Sequence, residues 1–247
     1  MQRMRLKRIA VGMLVGLHAA VALGSVVSLN PVRIHLSTAK RSEVLLVRNT
    51  GKASARFQFT AHTWDESVDG QMKLTPTSDI LVFPSLVEVK AGETRRVRMA
   101  STLPPGPSER SYRLIASELP ESTAPGVVQV LTKLNVPVFV QAVRAPERPT
   151  LTTRVQKGQI WVSLENQGES YFKAQSVRIV ARSSSGAPVF QQTLAGWYVL
   201  AHGRREYRID SPAEKCANIA SIAATVVTEG GKLNAVAKVD PRLDCRR

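Results

Sequence analysis

Aromatic residues make up only 5% of this 247-residue chain, and it holds just four histidines and two cysteines. That scarcity leaves little from which to build a metal centre, since His18, His35, His62 and His202 do not cluster in sequence with Cys216 and Cys245. Nucleophilic catalysis needs a serine or cysteine with a base in reach, and the chain has no G-x-S-x-G elbow. Asp65-Glu66 with Asp69-Gly70 lacks the regular spacing and final glutamate of a calcium loop, and Gly230-Gly231 reads as a hairpin turn rather than a phosphate cradle. No catalytic constellation is found, so an enzyme is not expected, nor is a cofactor. Low-complexity tracts and short-period repeats are also missing. After Leu23 no apolar run approaches the ~20 residues that span a bilayer.

What is present begins with a leader. Met1 to Arg8 carries Arg3, Arg5, Lys7 and Arg8 with no acid, Ile9 to Leu23 is apolar, and Ala22-Leu23-Gly24 supplies the small residues of a cleavage site. Residues 1–24 are read as a secretory signal peptide. Without its four bases the formal charge falls from +15 to +11. The excess is scattered, as at Lys40-Arg41, Arg95-Arg96 and Arg204-Arg205, and no nucleic-acid-reading module accompanies it, so no nucleic-acid partner is expected. In an exported chain, Cys216 and Cys245 are expected to form one disulfide that closes the last part of the fold.

From Ser25 onward, short alternating segments are separated by turn residues. In Ala55 to Trp64, Phe57, Phe59 and Ala61 share one face while Arg56, Gln58, Thr60 and His62 share the other. Asn49-Thr50-Gly51-Lys52, Asp69-Gly70 and Lys90-Ala91-Gly92-Glu93 punctuate the strands. Strands at this spacing, with no convincing helix, argue for β-sandwiches. Arg144 to Pro149 combines two prolines with charge and lacks an apolar pattern. The expected organisation is all-β: an immunoglobulin-like domain over 25–143, a hinge over 144–149, and a second β-sandwich over 150–247.

Val127 to Val140 reads as one unusually long strand, with Val128, Val130, Thr132, Leu134 and Val136 on one face. A long apolar strand at an open edge invites aggregation unless it is used. One use is to lend its backbone to an incoming strand while its side chains fill the partner's groove.

Other motifs fit that use. Val32-Arg33-Ile34 resembles the first strand of periplasmic pilus chaperones of the PapD type, and Leu46-Val47-Arg48-Asn49 resembles their second strand. Phe83-Pro84, Lys90-Ala91-Gly92-Glu93 and Val97-Arg98 resemble the family's middle section. Tyr112-Arg113-Leu114 with Glu118-Leu119-Pro120, and Asn135 to Val140, resemble the last two strands of its first domain. The likeness covers residues 27–142; beyond them it is one of length and β pattern. The Pro-Val-Phe-Val form at Pro137 to Val140 and the short link from Glu121 to Gly126 resemble the archaic, spore-coat-like branch.

The resemblance implies a chaperone that binds and caps pilus subunits in the periplasm by donor-strand complementation and passes them to an outer-membrane usher. Two domains would enclose a cleft between them. Donor-strand residues would be Val128, Val130, Thr132 and Leu134. The family anchors the subunit's terminal carboxylate with an arginine on the first strand, here Arg33, and a lysine on the last strand of the first domain. At the lysine's position this chain has Pro137 or Asn135, depending on the alignment, so Lys133 and Arg113 are the alternatives. A homodimer capping the free long strand is left open. The competing reading is a secreted immunoglobulin-like adhesion or carbohydrate-binding module, which would show aromatics around a surface cleft.

Overall fold

The computed structural model describes residues 26–120, 130–143, 146–210 and 216–245. Along the chain the first sandwich is built from β1 (Val27–Asn30), β2 (Ile34–Leu36), β3 (Ser42–Asn49), β4 (Ala55–Glu66), β5 (Met72–Pro76), β6 (Ile80–Phe83), β7 (Leu86–Val89), β8 (Thr94–Ser101), β9 (Arg110–Leu119) and β10 (Lys133–Val140). The second follows with β11 (Pro149–Gln156), β12 (Gln159–Asn166), β13 (Phe172–Arg182), β14 (Pro188–Ala195), β15 (Tyr198–Val199), β16 (Arg204–Asp210), β17 (Ser221–Thr228), β18 (Lys232–Lys238) and a short helix, α1 (Pro241–Asp244). The all-β, two-sandwich architecture is the one the alternation predicts.

In the first sandwich one sheet runs β1-β3-β8-β6 and the other β2-β10-β9-β4-β5, with β7 also on β4. The chain changes sheets between Phe83 and Leu86, because β6 pairs with β8 and β7 with β4. Side chains on alternate residues meet in the middle. Ala55, Phe57, Phe59 and Ala61 of β4 are buried against Leu45, Val47, Val97 and Met99 of the facing sheet, while Arg56, Gln58 and Thr60 face water. Each fully buried side chain of this kind contributes about 1.5–3 kcal/mol. The sequence reading missed β5, whose residues are mostly exposed and so carry no alternating apolar signal.

The second sandwich packs β11-β12-β16 against β14-β13-β17-β18, with β15 on β13. Ile222, Ala224 and Val226 of β17 meet Ile160, Val162 and Leu164 of β12 in its core. β11 was hidden from the sequence reading by its proline start, although Leu151, Thr153 and Val155 do alternate. Cys216 and Cys245 are joined as expected, with their Cα atoms 5.9 Å apart, which ties the approach to β17 to the end of α1.

One expected strand is shorter than its sequence suggested. The sequence predicts a continuous strand over Val127 to Val140, but the described strand begins at Lys133, and Val127, Val128 and Gln129 lie outside the described residues. The reason lies in the partner. Extending the Lys133↔Ser117 register brings Val130 opposite Pro120, just past the end of β9, and proline has no N–H to continue a ladder. Ahead of the strand, the Glu118 N–H donates to the Thr132 carbonyl at 2.9 Å, and the Thr132 N–H donates to the Glu118 carboxylate at 2.8 Å.

Candidate functional site

β10 is a strand with two unlike sides. On one side it pairs with β9 along all its residues, from Lys133↔Ser117 to Val140↔Arg110. On the other, the parallel strand β2 reaches it only at Val138, Phe139 and Val140. Among the described residues no strand covers Lys133 to Pro137 on that side, so a length of backbone edge is left open. Next to it Val130 is 66% exposed and Leu131 is also exposed. Of the expected donor residues, Val130 and Thr132 lie ahead of the strand, and Val128 lies outside the described residues. Leu134 packs partly on the chain's own core, which leaves it less apolar surface to offer a partner.

The C-terminal half of β10 builds the cleft. Val136, Val138 and Val140 point into the first core, while Phe139 on the opposite face is also fully buried, because the second sandwich covers it. An unbroken apolar run is the signature of a strand buried on both faces, and Val136 to Val140 carries it. Phe139 and Trp64 come from the first sandwich, and Tyr171, Trp197, Tyr198 and Leu200 from the second; together they form an interdomain cluster. The Phe139 and Tyr171 rings stack at 3.8 Å between centroids, and Trp64 meets Tyr198 edge-on at 5.3 Å. His35 stacks on both Phe139 and Tyr171, and burial beside Arg33 pulls its pKa below the usual imidazole range. These rings face one another rather than solvent, so they offer no surface platform for a sugar. Trp64 and Trp197 both belong to this junction.

Two arginines converge on the cluster. The Arg33 guanidinium carbon lies 5.6 Å from the Tyr198 ring centre, and that of Arg113 lies 5.6 Å from the same ring. Arg113 reaches this position because β9 sets it opposite Pro137. It is 4% exposed, stacks on Trp64 at 3.5 Å, and among the described residues has no hydrogen-bond partner for Nε and Nη2. Desolvation pulls its pKa down to about 10. A buried guanidinium with free donors favours any carboxylate that can reach it. Lys133 is not brought to this group. It is exposed and stands opposite Ser117, four residues or about 13 Å along β10 from Pro137.

Several polar contacts fix the two sandwiches on each other. The Trp197 indole N–H donates to Glu66 at 2.8 Å, and the backbone N–H groups of Glu109 and Glu206 donate to the carbonyls of Glu169 and Val68 at 2.8 Å each. The Tyr171 N–H donates to the Glu109 carboxyl at 3.0 Å, and burial pushes that carboxyl up to about 7. Ser108, Glu169 and His202 also meet at this junction, but serine and carboxylate both contact His202 Nε2. A hydrolytic triad uses the two ring nitrogens for different partners. Sequence reasoning missed Glu109, Tyr171, Tyr198 and Glu229, since their importance arises only where the two domains touch.

The profile of the family described as "Pili and flagellar-assembly chaperone, PapD N-terminal domain" matches residues 26–144. No curated protein sequence matches the chain. Solved structures share its fold at low identity. One is the CsuC–CsuE chaperone–tip adhesion subunit pre-assembly complex from the archaic chaperone-usher Csu pili of Acinetobacter baumannii, at 19% identity and TM-score 0.59, covering 85% of this chain and 98% of that one. Another is the Salmonella enterica SafA pilin in complex with the SafB chaperone, at 16% and 0.57, covering 88% and 99%. The E. coli chaperone DraB follows at 17% and 0.56, covering 87% and 98%. The first sandwich therefore belongs to the family of pili and flagellar-assembly chaperones of the PapD type, and both sandwiches share the fold of these structures.

Proposed function

We propose that this pilus-assembly chaperone works in the periplasm, where the open side of β10 takes a strand of a pilus subunit and the cleft holds the subunit's terminal carboxylate. The observation that carries the proposal is the edge itself: β2 covers only the last three residues of β10, and Val130 and Leu131 stand exposed just before it. Backbone pairing along Lys133 to Pro137 supplies affinity that does not depend on sequence, and the preceding apolar side chains enter the subunit's groove. Arg33 at the cleft mouth and Arg113 beneath Tyr198 fix the register by charge-assisted hydrogen bonds. Arg113 takes the anchoring role that a lysine on β10 plays elsewhere in the family, because Pro137, with no side-chain donor, lies opposite it. Lys133 instead flanks the visiting strand. Delivery to an outer-membrane usher follows from the family, and the Pro-Val-Phe-Val ending of β10 favours the archaic branch. A homodimer that shields the same edge in the free chain would use the same surface.

The test is co-expression with a candidate subunit and purification from periplasm. Val130→Asp places a carboxylate where an apolar groove is to be filled, and Arg33→Ala removes the outer anchor. Each is expected to lower the yield of complex while the free protein stays folded. Undiminished yield with both variants refutes the site.

A further inference from the structure

Arg33 is already engaged. Its two terminal nitrogens donate to the two carboxylate oxygens of Glu229 at 2.9 Å each, a fork-to-fork pair that joins the sandwiches across the cleft. Arg33 Nη1 also donates to the Tyr171 hydroxyl at 3.1 Å. Glu229 stands in the turn between β17 and β18, and its backbone N–H donates to the Lys173 carbonyl at 3.3 Å. The glycine that follows, Gly230, lies against Glu147: a Cβ added there would meet that carboxylate at 2.4 Å. A cavity of about 360 Å³ opens beside the pair, lined by His35, Glu109, Glu147, Tyr171, Lys173 and Glu229 among others. Arg33 holds the Glu229 carboxyl below the usual carboxylate range, while burial, helped by Glu229, raises the pKa of Glu147.

We propose that Glu229 is an internal stand-in for the subunit's terminal carboxylate, occupying Arg33 in the free chain and giving way to the visitor. This rests on the reading of Arg33 as the carboxylate anchor. The geometry carries it: a bidentate carboxylate is the ligand an arginine fork selects, and Glu229 presents one from a half-exposed turn beside an open cavity. The pair is partly exposed, so it is strong enough to keep Arg33 oriented and weak enough to exchange. The nearby Glu147 carboxylate repels Glu229 and so weakens its hold on Arg33. Glu229 thereby sets the affinity for any carboxylate-ended chain, and a visitor too weak to displace it is rejected.

The test uses the full chain and a minimal probe, N-acetylvaline, with N-acetylvalinamide as the control lacking a carboxylate. Binding is followed by the arginine side-chain NMR resonances in wild type, Glu229→Gln, Glu229→Asp and Arg33→Ala. If Glu229 competes, an occupied fraction of ~80–90% leaves few arginines free, so Glu229→Gln binds N-acetylvaline roughly five- to tenfold tighter than wild type. Glu229→Asp, with its charge kept and its reach shortened, falls between them, and the amide binds none of the four. Should Glu229→Gln bind no tighter, or more weakly, while Arg33→Ala loses the probe, the competition is refuted and the anchor stands. If Arg33→Ala binds as wild type does, the anchor itself falls and the competition with it. An arginine freed by Glu229→Gln that still takes no carboxylate overturns the proposal as well.

Discussion

Arg113 offers a test in which stability and binding should move in opposite directions. Its guanidinium is 4% exposed, with two nitrogens unpartnered among the described residues, and burial pulls its pKa down to about 10. A displacement of that size corresponds to about 3 kcal/mol against the charged form in the folded chain. Stacking on the Trp64 ring at 3.5 Å returns about 2 kcal/mol. The net effect is a charge that costs the free protein about 1 kcal/mol. Methionine at this position has similar length, packs on an indole and carries no charge. Arg113→Met is therefore expected to raise the melting temperature by about 2–4 °C in the absence of a subunit. The pH dependence fixes the sign. A base with a depressed folded pKa destabilises fully below that pKa and is relieved as it deprotonates, so the variant's advantage should shrink as pH rises through about 10. Subunit binding should fall meanwhile. A charge-assisted hydrogen bond contributes about 1.5–3 kcal/mol, or roughly ten- to 150-fold in dissociation constant. Calorimetric melting and titration of the purified variant with subunit measure the two effects. An Arg113→Met protein that melts several degrees lower and holds its subunit undiminished would show that the arginine clamps the aromatic cluster and has no part in binding.

Three further expectations follow from other groups. Glu109 has its carboxyl pushed up to about 7 by burial, so the neutral form is favoured on folding; the chain should lose stability as pH rises from about 4.5 through about 7, by up to about 3 kcal/mol. Glu109→Gln keeps an oxygen for the Tyr171 N–H and should melt above wild type at about pH 8 but not at about pH 4; parallel melting curves would remove Glu109 from the account. Cys216→Ser opens a loop with a sequence separation of 29, which on the chain-entropy view costs about 3–4 kcal/mol. Its melting temperature should drop by roughly 6–16 °C, and an unchanged value would mean that the disulfide contributes no net stability. In the Val130 series, about two-thirds of the side chain remains to be buried, so Val130→Ala should weaken the complex by roughly three- to thirtyfold, and Val130→Asp by considerably more. Equal yields across that series would place the segment outside the interface.

Much of the fold can be read directly from residue order. Alternation in β4 and β17 shows which side chains face inward, because the pleat sends successive residues to opposite faces. The turn at Gly92, with φ of 75°, is marked by a residue that can adopt that conformation. Strands with little to bury, such as β5, escape the same reading. The site was legible only in halves. Arg33, Arg113 and the apolar approach to β10 could be picked out because they belong to segments with their own local pattern. Which of Lys133 and Arg113 reaches the cleft could not be read from the sequence, since the two differ in strand register, and register is a relation between two segments.

The sequence by itself determined that this chain folds as paired β-sandwiches and that its last thiols join, because alternation, turn chemistry and cysteine number act over short stretches. Only the tertiary structure decided that Arg113 lies sealed beneath Tyr198, that Glu229 holds Arg33, and that β2 stops short along β10. Those facts come from the meeting of residues such as 33 and 229, almost two hundred positions apart. Their proximity depends on how two cores dock, and no local pattern encodes that.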